Sequence, residues 1–267
     1  MIRITLAGCT GWVGKALVAA IAAAPDLELV AGVSRKAAGR DLGEAAGQPA
    51  NGLPVFTSLA EALAVPSDVL IDYTKPDCVK GHTLAALAAG RHIVVGTSGM
   101  SAADYDEIDA AAKAAGLGVL AAGNFSVTAT LLRRFARQAA AYVPDVEIID
   151  YASPGTPNTP SGTGRELAET LGAERMAGTS KPVAELGGVR ETRGGAIGAP
   201  HPVQVHSVRM PGFVLSCEAV FGLPDERLVI RHDAGSSASP YVGGTLLAAR
   251  RVAGWIGLQR GLDGLLD

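Results

Sequence analysis

Residues 1–123 alternate short apolar runs with longer amphipathic stretches. "IRITLAG", "LELVAGV", "SDVLIDY", "HIVVGTS" and "LGVLAAG" are close to continuous in apolar residues, the pattern of strands buried on both faces. "GKALVAAIAAA", "KGHTLAALAAG" and "SAADYDEIDAAAKAAG" read as helices between them, the last with Ser101 suited to its N-cap. Strands alternating with helices predict a parallel sheet covered on both sides. Residues 124–237 differ. "SVTATLLRRFARQAAAYV" is an amphipathic helix with Leu131, Phe135 and Ala139 on one face, "DVEIIDYA" is a strand, and "SGTGRELAETLGAERM" is helical. "VQVHSVRM", "FVLSCEAVFG" and "ERLVIRHDA" then read as successive strands, the first two joined by a tight Pro211-Gly212 turn. This half is expected to be α+β with a mixed, mostly antiparallel sheet. The last stretch, "SPYVGGTLLAARRVAGWIGL", returns to helix.

Composition narrows the class. Charged residues make up 18% of the 267, against about a quarter in an average soluble chain, which points to surface covered in an oligomer. The net charge of −3 supplies no basic field for nucleic acid. No apolar run reaches the ~20 residues that span a bilayer, and a strand is expected directly after Met1, so neither membrane insertion nor a leader is expected. Cys9, Cys78 and Cys217 have no metal-ligand spacing and read as reduced thiols of a cytoplasmic protein.

The first candidate chemistry is Gly8, Gly11 and Gly14, a G-x-x-G-x-x-G series between the first strand and the first helix, with Thr10, Trp12 and Val13 in the same turn. Such a turn lets a dinucleotide pyrophosphate approach the backbone and face a helix N-terminus. An ordinary glycine turn has the same letters, but strand before and helix after select the dinucleotide reading. The second strand ends in Ser34, Arg35 and Lys36, where NAD sites usually carry a carboxylate for the ribose 2′-hydroxyl. Two cations and no acid favour a 2′-phosphate, hence NADPH, with NADH the weaker cofactor. Tyr73 and Thr74, the segment Gly96, Thr97 and Ser98, and the segment Gly123, Asn124 and Phe125 all follow strand ends, where ligands collect in open α/β sheets.

The second candidate is "DYASPGTPNTPSGTG", Asp150 to Gly164. After Asp150 it holds no acid, His, Lys or Arg. Ser161, Gly162 and Thr163 stand at the start of a helix, whose free N–H groups make an anion site.

Taken together, "AGCTGWVGKAL", "LIDYTKPD", "VVGTSGM", "GNFSV", "VEIID…TPSGTG", "RGGAIG" and "ERLVIRHDA" resemble, in order, the segments of the dihydrodipicolinate reductase family. The resemblance implies a Rossmann-type dinucleotide-binding domain over 1–123, rejoined by 238–267, and an α+β domain over 124–237 that binds substrate and assembles a homotetramer. It implies hydride transfer from NADPH or NADH to an unsaturated cyclic dicarboxylate. It places Gly96, Thr97, Ser98, Gly123, Asn124 and Phe125 along the nicotinamide, and Ser161, Gly162 and Thr163 on a substrate carboxylate.

One departure stands out. The family carries a His pair and a Lys between its "EIID"-like strand and Ser-Gly-Thr, and an ungapped count puts Ala152, Ser153 and Thr156 there. The family acid and one cation are gone. Candidate proton donors are then Ser153 in the loop, Tyr151 on the adjoining strand (with alternation turning it to the opposite face) and His206 on a later strand. His82, His92 and His232 read as structural, and no metal is expected. Three functions remain open: an NADPH-dependent reductase of a small cyclic imine, the lysine-pathway reductase itself, and a non-catalytic NADPH-binding homologue.

Overall fold

In the computed structural model, which describes residues 1–181, 183–188 and 192–266, β1 (Ile2–Ala7) lies inside a seven-stranded sheet. Its other strands are β2 (Leu27–Val33), β3 (Val55–Phe56), β4 (Val69–Asp72), β5 (His92–Val95), β6 (Gly118–Ala121) and β12 (Gly257–Arg260). The order is β12-β6-β5-β4-β1-β2-β3, and every pairing is parallel. The chain winds outward from β1 in both directions, so the order switches between β1 and β4, the place where such sheets open a crevice at their carboxyl ends. Strand alternation fills both faces. Ile4, Leu6, Ile71 and Val94 pack with Leu17 and Ile21 of α1 (Trp12–Ala22) and Leu246 of α8 (Ser239–Arg251). Leu70, Ile93 and Val95 pack with Val79 of α4 (Pro76–Ala88) and Ile108 of α5 (Ala102–Ala115). The short helices α2 (Leu42–Ala46) and α3 (Leu59–Ala62) flank β3 in the chain.

Ser101 caps α5, accepting from the Asp104 N–H in a capping box. α4 starts at Pro76 rather than at the expected Lys80, because proline preset at the first helical position extends the helix backwards. The terminal stretch is not helical throughout. α8 stops at Arg251, Gly257 takes a left-handed φ of +94°, and Gly257–Arg260 pairs with β6. These segments form one compact unit, Met1–Val127 with Ala238–Asp267.

The second unit is Thr128–Ser237. Its strands are β7 (Asp145–Ala152), β8 (Gly195–Ile197), β9 (Val203–Arg209), β10 (Leu215–Leu223) and β11 (Glu226–Ala234), in the order β11-β10-β7-β9-β8. Only β7 and β9 pair in parallel, so the sheet is mixed. The turn at Pro211-Gly212 does not make a hairpin: β7 lies between β9 and β10. A tight reversal fixes strand direction, but here a third strand has taken the place between the two. The inner face, with Val146, Ile148, Phe221, Val203 and Val205, packs on Leu132 and Ala136 of α6 (Val127–Ala140) and Leu167 and Leu171 of α7 (Gly162–Glu174). Among the described residues, no helix is long and apolar enough to cross a membrane. No group of three or more His, Cys, Asp or Glu among them could hold a metal ion.

Candidate active site

The glycine turn is built by close packing. Gly8 has a left-handed φ of +81°, and a Cβ there would meet the Tyr73 carbonyl oxygen at 2.3 Å. A Cβ on Gly14 would lie 2.1 Å from the Gly8 carbonyl oxygen, so α1 can start only where it does if residue 14 has no side chain. At Gly11 the nearest atom to such a Cβ is 3.2 Å away. Gly11 is the N-cap of α1 and offers no side-chain cap, which leaves first-turn N–H groups of α1 for the oxygens of a ligand. The turn therefore fits a pyrophosphate. Thr10 Oγ1 lies 2.7 Å from Ser34 Oγ, joining the turn to the end of β2. Val13 packs against the core, and the exposed Trp12 ring meets Tyr241 edge-on at 5.6 Å. Arg35 and Lys36 are exposed, and among the described residues neither has a partner.

The other strand ends are tied to one another. The Tyr73 ring lies across Gly96, where a Cβ would come 2.2 Å from Tyr73 Cζ. Tyr73 Oη and Thr245 Oγ1 are 2.7 Å apart, and the Tyr73 and Phe125 ring centres are 5.9 Å apart. Burial pushes the Tyr73 phenol well above its ordinary value. Asn124 Oδ1 accepts from the Ser126 N–H at 2.8 Å, and Gly123 and Ser98 are exposed. Beneath these loops lies Asp72, missed in the sequence reading. Its buried carboxylate accepts from the Thr74 N–H, Thr74 Oγ1 and Thr97 Oγ1, and lies 2.7 Å from His82 Nδ1. His82 is thus paired at a strand end.

In the second unit, Asp150 organises the His-free loop. Alternation along β7 turns Val146, Ile148, Asp150 and Ala152 inward. The fully buried Asp150 carboxylate accepts from the Ser161 N–H at 2.9 Å and from Ser161 Oγ, and pairs with Arg209 Nη2 at 2.7 Å. Ser161 Oγ in turn accepts from the Gly164 N–H as the N-cap of α7. Arg209 also donates to the carbonyl of Asn158, so one guanidinium ties the start of the loop to its middle. Arg209 was missed in the sequence because it is brought beside Ala152 only by the parallel β7–β9 register. Gly162 is exposed and Thr163 half-buried at the helix start.

The three candidate donors separate. Ser153 Oγ lies 3.1 Å from Thr156 Oγ1, so the hydroxyls at two of the vacated positions bond each other. Tyr151 is on the outer face, donating to Glu218 Oε1 at 3.0 Å. Burial, then that bond, raises its phenol. His206 is on the outer face too, with Nε2 2.8 Å from Glu147 Oε2, and it lines a cavity of about 930 Å³ with Arg175 and Gln204. Ser153 alone of the three belongs to the loop that carries the cradle. His232 is buried on the inner face with Nδ1 3.1 Å from Thr128 Oγ1, and burial holds its imidazole below the ordinary value. Cys217, beside Asp150 in register, is pushed up to about 12 by burial, then by Asp150 and Glu218, and is no nucleophile.

Comparison with known proteins agrees with this architecture. Family models described as "Dihydrodipicolinate reductase, N-terminus" and "Dihydrodipicolinate reductase, C-terminus" match residues 2–125 and 128–262. The 4-hydroxy-tetrahydrodipicolinate reductase of Synechococcus elongatus is 36% identical, with 99% of this chain and 98% of that protein aligned. That of Geobacillus kaustophilus is 37% identical over 100% and 99%. A solved structure of dipicolinate-bound dihydrodipicolinate reductase from Paenisporosarcina sp. TG-14 superposes with a TM-score of 0.86 at 30% identity, covering 99% of both chains. With matches over both halves and relatives aligned end to end, the chain belongs to the dihydrodipicolinate reductase family, as an NAD(P)H-dependent oxidoreductase acting on a small molecule.

Proposed function

We propose that this chain reduces the C=N bond of a small cyclic imine carboxylate, with NADPH as the preferred hydride source. The observation that carries the reading is the loop of residues 150–164. Its anion cradle at Ser161, Gly162 and Thr163 is held in place by buried Asp150, while Ala152, Ser153 and Thr156 stand where the family has its acid and its cation. Hydride transfer needs a bound nicotinamide, an electrophilic carbon and a proton for nitrogen. An imine that arrives protonated supplies the third itself, and the enzyme contributes orientation and electrostatics. In this reading the glycine turn and the α1 N-terminus hold the pyrophosphate, and the loops at 73–74, 96–98 and 123–125 line the nicotinamide, which supplies the hydride. Arg35 and Lys36 take the 2′-phosphate, supported by their exposure and the absence of an acid between residues 34 and 40.

A second reading is the reaction for which the relatives are named, reduction of 4-hydroxy-tetrahydrodipicolinate. End-to-end alignment at 36–37% identity favours it. NADPH oxidation against cyclic imines with no, one and two carboxylates, that compound included, separates the readings. Turnover of the dicarboxylate alone selects the second. Tight NADPH binding with no turnover on any member refutes both and leaves the non-catalytic homologue.

The same proposal includes a homo-oligomer. The outer face of the second sheet carries Ile149, Val220 and the half-exposed Val229, and Leu228 and Val214 nearby are also exposed. Light scattering at the mass of a single 27.1 kDa chain would remove it.

A further inference from the structure

We propose that Asp72 and His82 form a positioning pair that sets the two strand-end loops assigned to the nicotinamide, an inference that rests on the cofactor reading above. Asp72 is the last residue of β4 and is 0% exposed. Its carboxylate gathers three elements. Thr74 gives it an N–H at 2.9 Å and a hydroxyl at 2.6 Å from the loop after β4. Thr97 gives it a hydroxyl at 3.1 Å from the loop after β5. His82, one face of α4, closes on the second oxygen at 2.7 Å. The same two loops are packed together a few ångströms away, where the Tyr73 ring fills the space a side chain at residue 96 would need.

A carboxylate this buried is a poor device for stability alone. Taking a carboxylate out of water is costly even when hydrogen bonds satisfy it, and an apolar residue at the strand end would be cheaper. What the carboxylate adds is direction: its lone pairs fix the Thr74 and Thr97 hydroxyls, and therefore the backbone of residues 73–74 and 96–98. His82 is the only one of the partners that comes from a helix, so it anchors the carboxylate itself. Its ring has one nitrogen committed to Asp72. Loss of that nitrogen leaves the second oxygen without its tie to α4, so the carboxylate is held by the two loops alone and no longer fixes them against the helix.

The test is NADPH binding, followed by the fluorescence of the bound nicotinamide, in His82→Leu and His82→Asn. The asparagine amide nitrogen occupies the place of Nδ1 and can donate to Asp72, whereas leucine cannot. Expected is a loss of about tenfold or more in NADPH affinity for His82→Leu, with a shifted nicotinamide emission, and return to within about threefold for His82→Asn. Steady-state KM for NADPH should move with Kd, and kcat should move less. Equal, unchanged affinity in both variants overturns the proposal. So does equal weakening in both with a matching fall in melting temperature, because that is a folding effect. If the unaltered protein binds no NADPH, the cofactor reading falls and takes this pair with it. If it binds tightly and His82→Leu binds as tightly, the pair alone falls.

Discussion

Replacing Arg209 by alanine should loosen the cradle loop and little else. The side chain is 14% exposed, and its partner Asp150 is 0% exposed. Removing one member of a buried ion pair usually costs ~3–5 kcal/mol, because a charge is left behind without its partner. Here the carboxylate keeps three donors, the N–H and hydroxyl of Ser161 and the hydroxyl of Ser207, so the cost belongs nearer to one charged hydrogen bond lost together with the loop tie to Asn158, about 2–4 kcal/mol. The assay must see the second unit by itself. Tryptophan fluorescence will not, since Trp12 and Trp255, the only two, both belong to the first unit. Hydrogen exchange of peptides covering residues 145–175 will, and about 2–4 kcal/mol corresponds to roughly 30- to 1000-fold faster exchange if opening is in rapid equilibrium. Asp150→Asn and the double variant complete a cycle, with an expected coupling of about 1.5–3 kcal/mol. Tryptophan emission during denaturation should be unmoved. Coupling below about 0.5 kcal/mol, or an equal effect on residues 1–120, would refute the argument that this pair is what holds the loop.

Two further outcomes are expected. Arg35→Ala should raise the apparent constant for NADPH over that for NADH by about 1–3 kcal/mol, roughly 5- to 150-fold, and equal changes for both cofactors would remove the phosphate assignment. His232 should make the second unit acid-sensitive: burial holds its folded value below that of free imidazole, so the unfolded chain takes up the proton first and stability falls as pH drops below about 6.5. That loss lies above the range of Asp145 and Asp233, whose carboxyls are held down, and it should disappear in His232→Gln when exchange of residues 215–235 is compared at pH 7.5 and 5.5.

What the sequence displayed and what it hid follow from the range of the forces involved. The parallel sheet was legible because a strand buried on both faces has an apolar centre, as "VLI" of β4 and "IVV" of β5 are, and because Ser101 and Asp104 announce a helix start within four residues. β12 was not, because "GLQR" has no strand period of its own and becomes a strand by pairing with β6 across more than a hundred residues. β8 is three residues at a sheet edge, below what periodicity can register. The glycine turn carries its geometry in its letters, whereas Asp72 with His82 and Asp150 with Arg209 do not. Each is a pair of ordinary residues, 10 and 59 positions apart, whose meeting depends on where a helix or strand lands. A signal was available for the first pair: an Asp closing an apolar strand has to find donors, and the two threonines and a histidine nearby were the donors on offer.

The pH dependence of turnover is where the rewritten loop should show itself most directly. Ser161 has a single hydroxyl proton, and it is given to Asp150, while the oxygen is taken by the Gly164 N–H. On the proposed reading a substrate carboxylate is therefore met by backbone at the α7 start, and Ser161 has no proton to pass on. Ser153 and Thr156 bond each other, and their hydroxyls do not titrate in the accessible range. On the proposed reading, the proton on nitrogen then comes with the substrate, and the basic limb of kcat/KM follows the iminium. Each imine in a series should give its own descending limb, centred on its own pKa, with a slope of one. A family member with an imidazole at this place would instead impose a single enzyme pKa across the series. One fixed midpoint for imines that differ by two pH units would mean that a protein group donates after all, and the loop chemistry argued from Ala152, Ser153 and Thr156 would have to be abandoned.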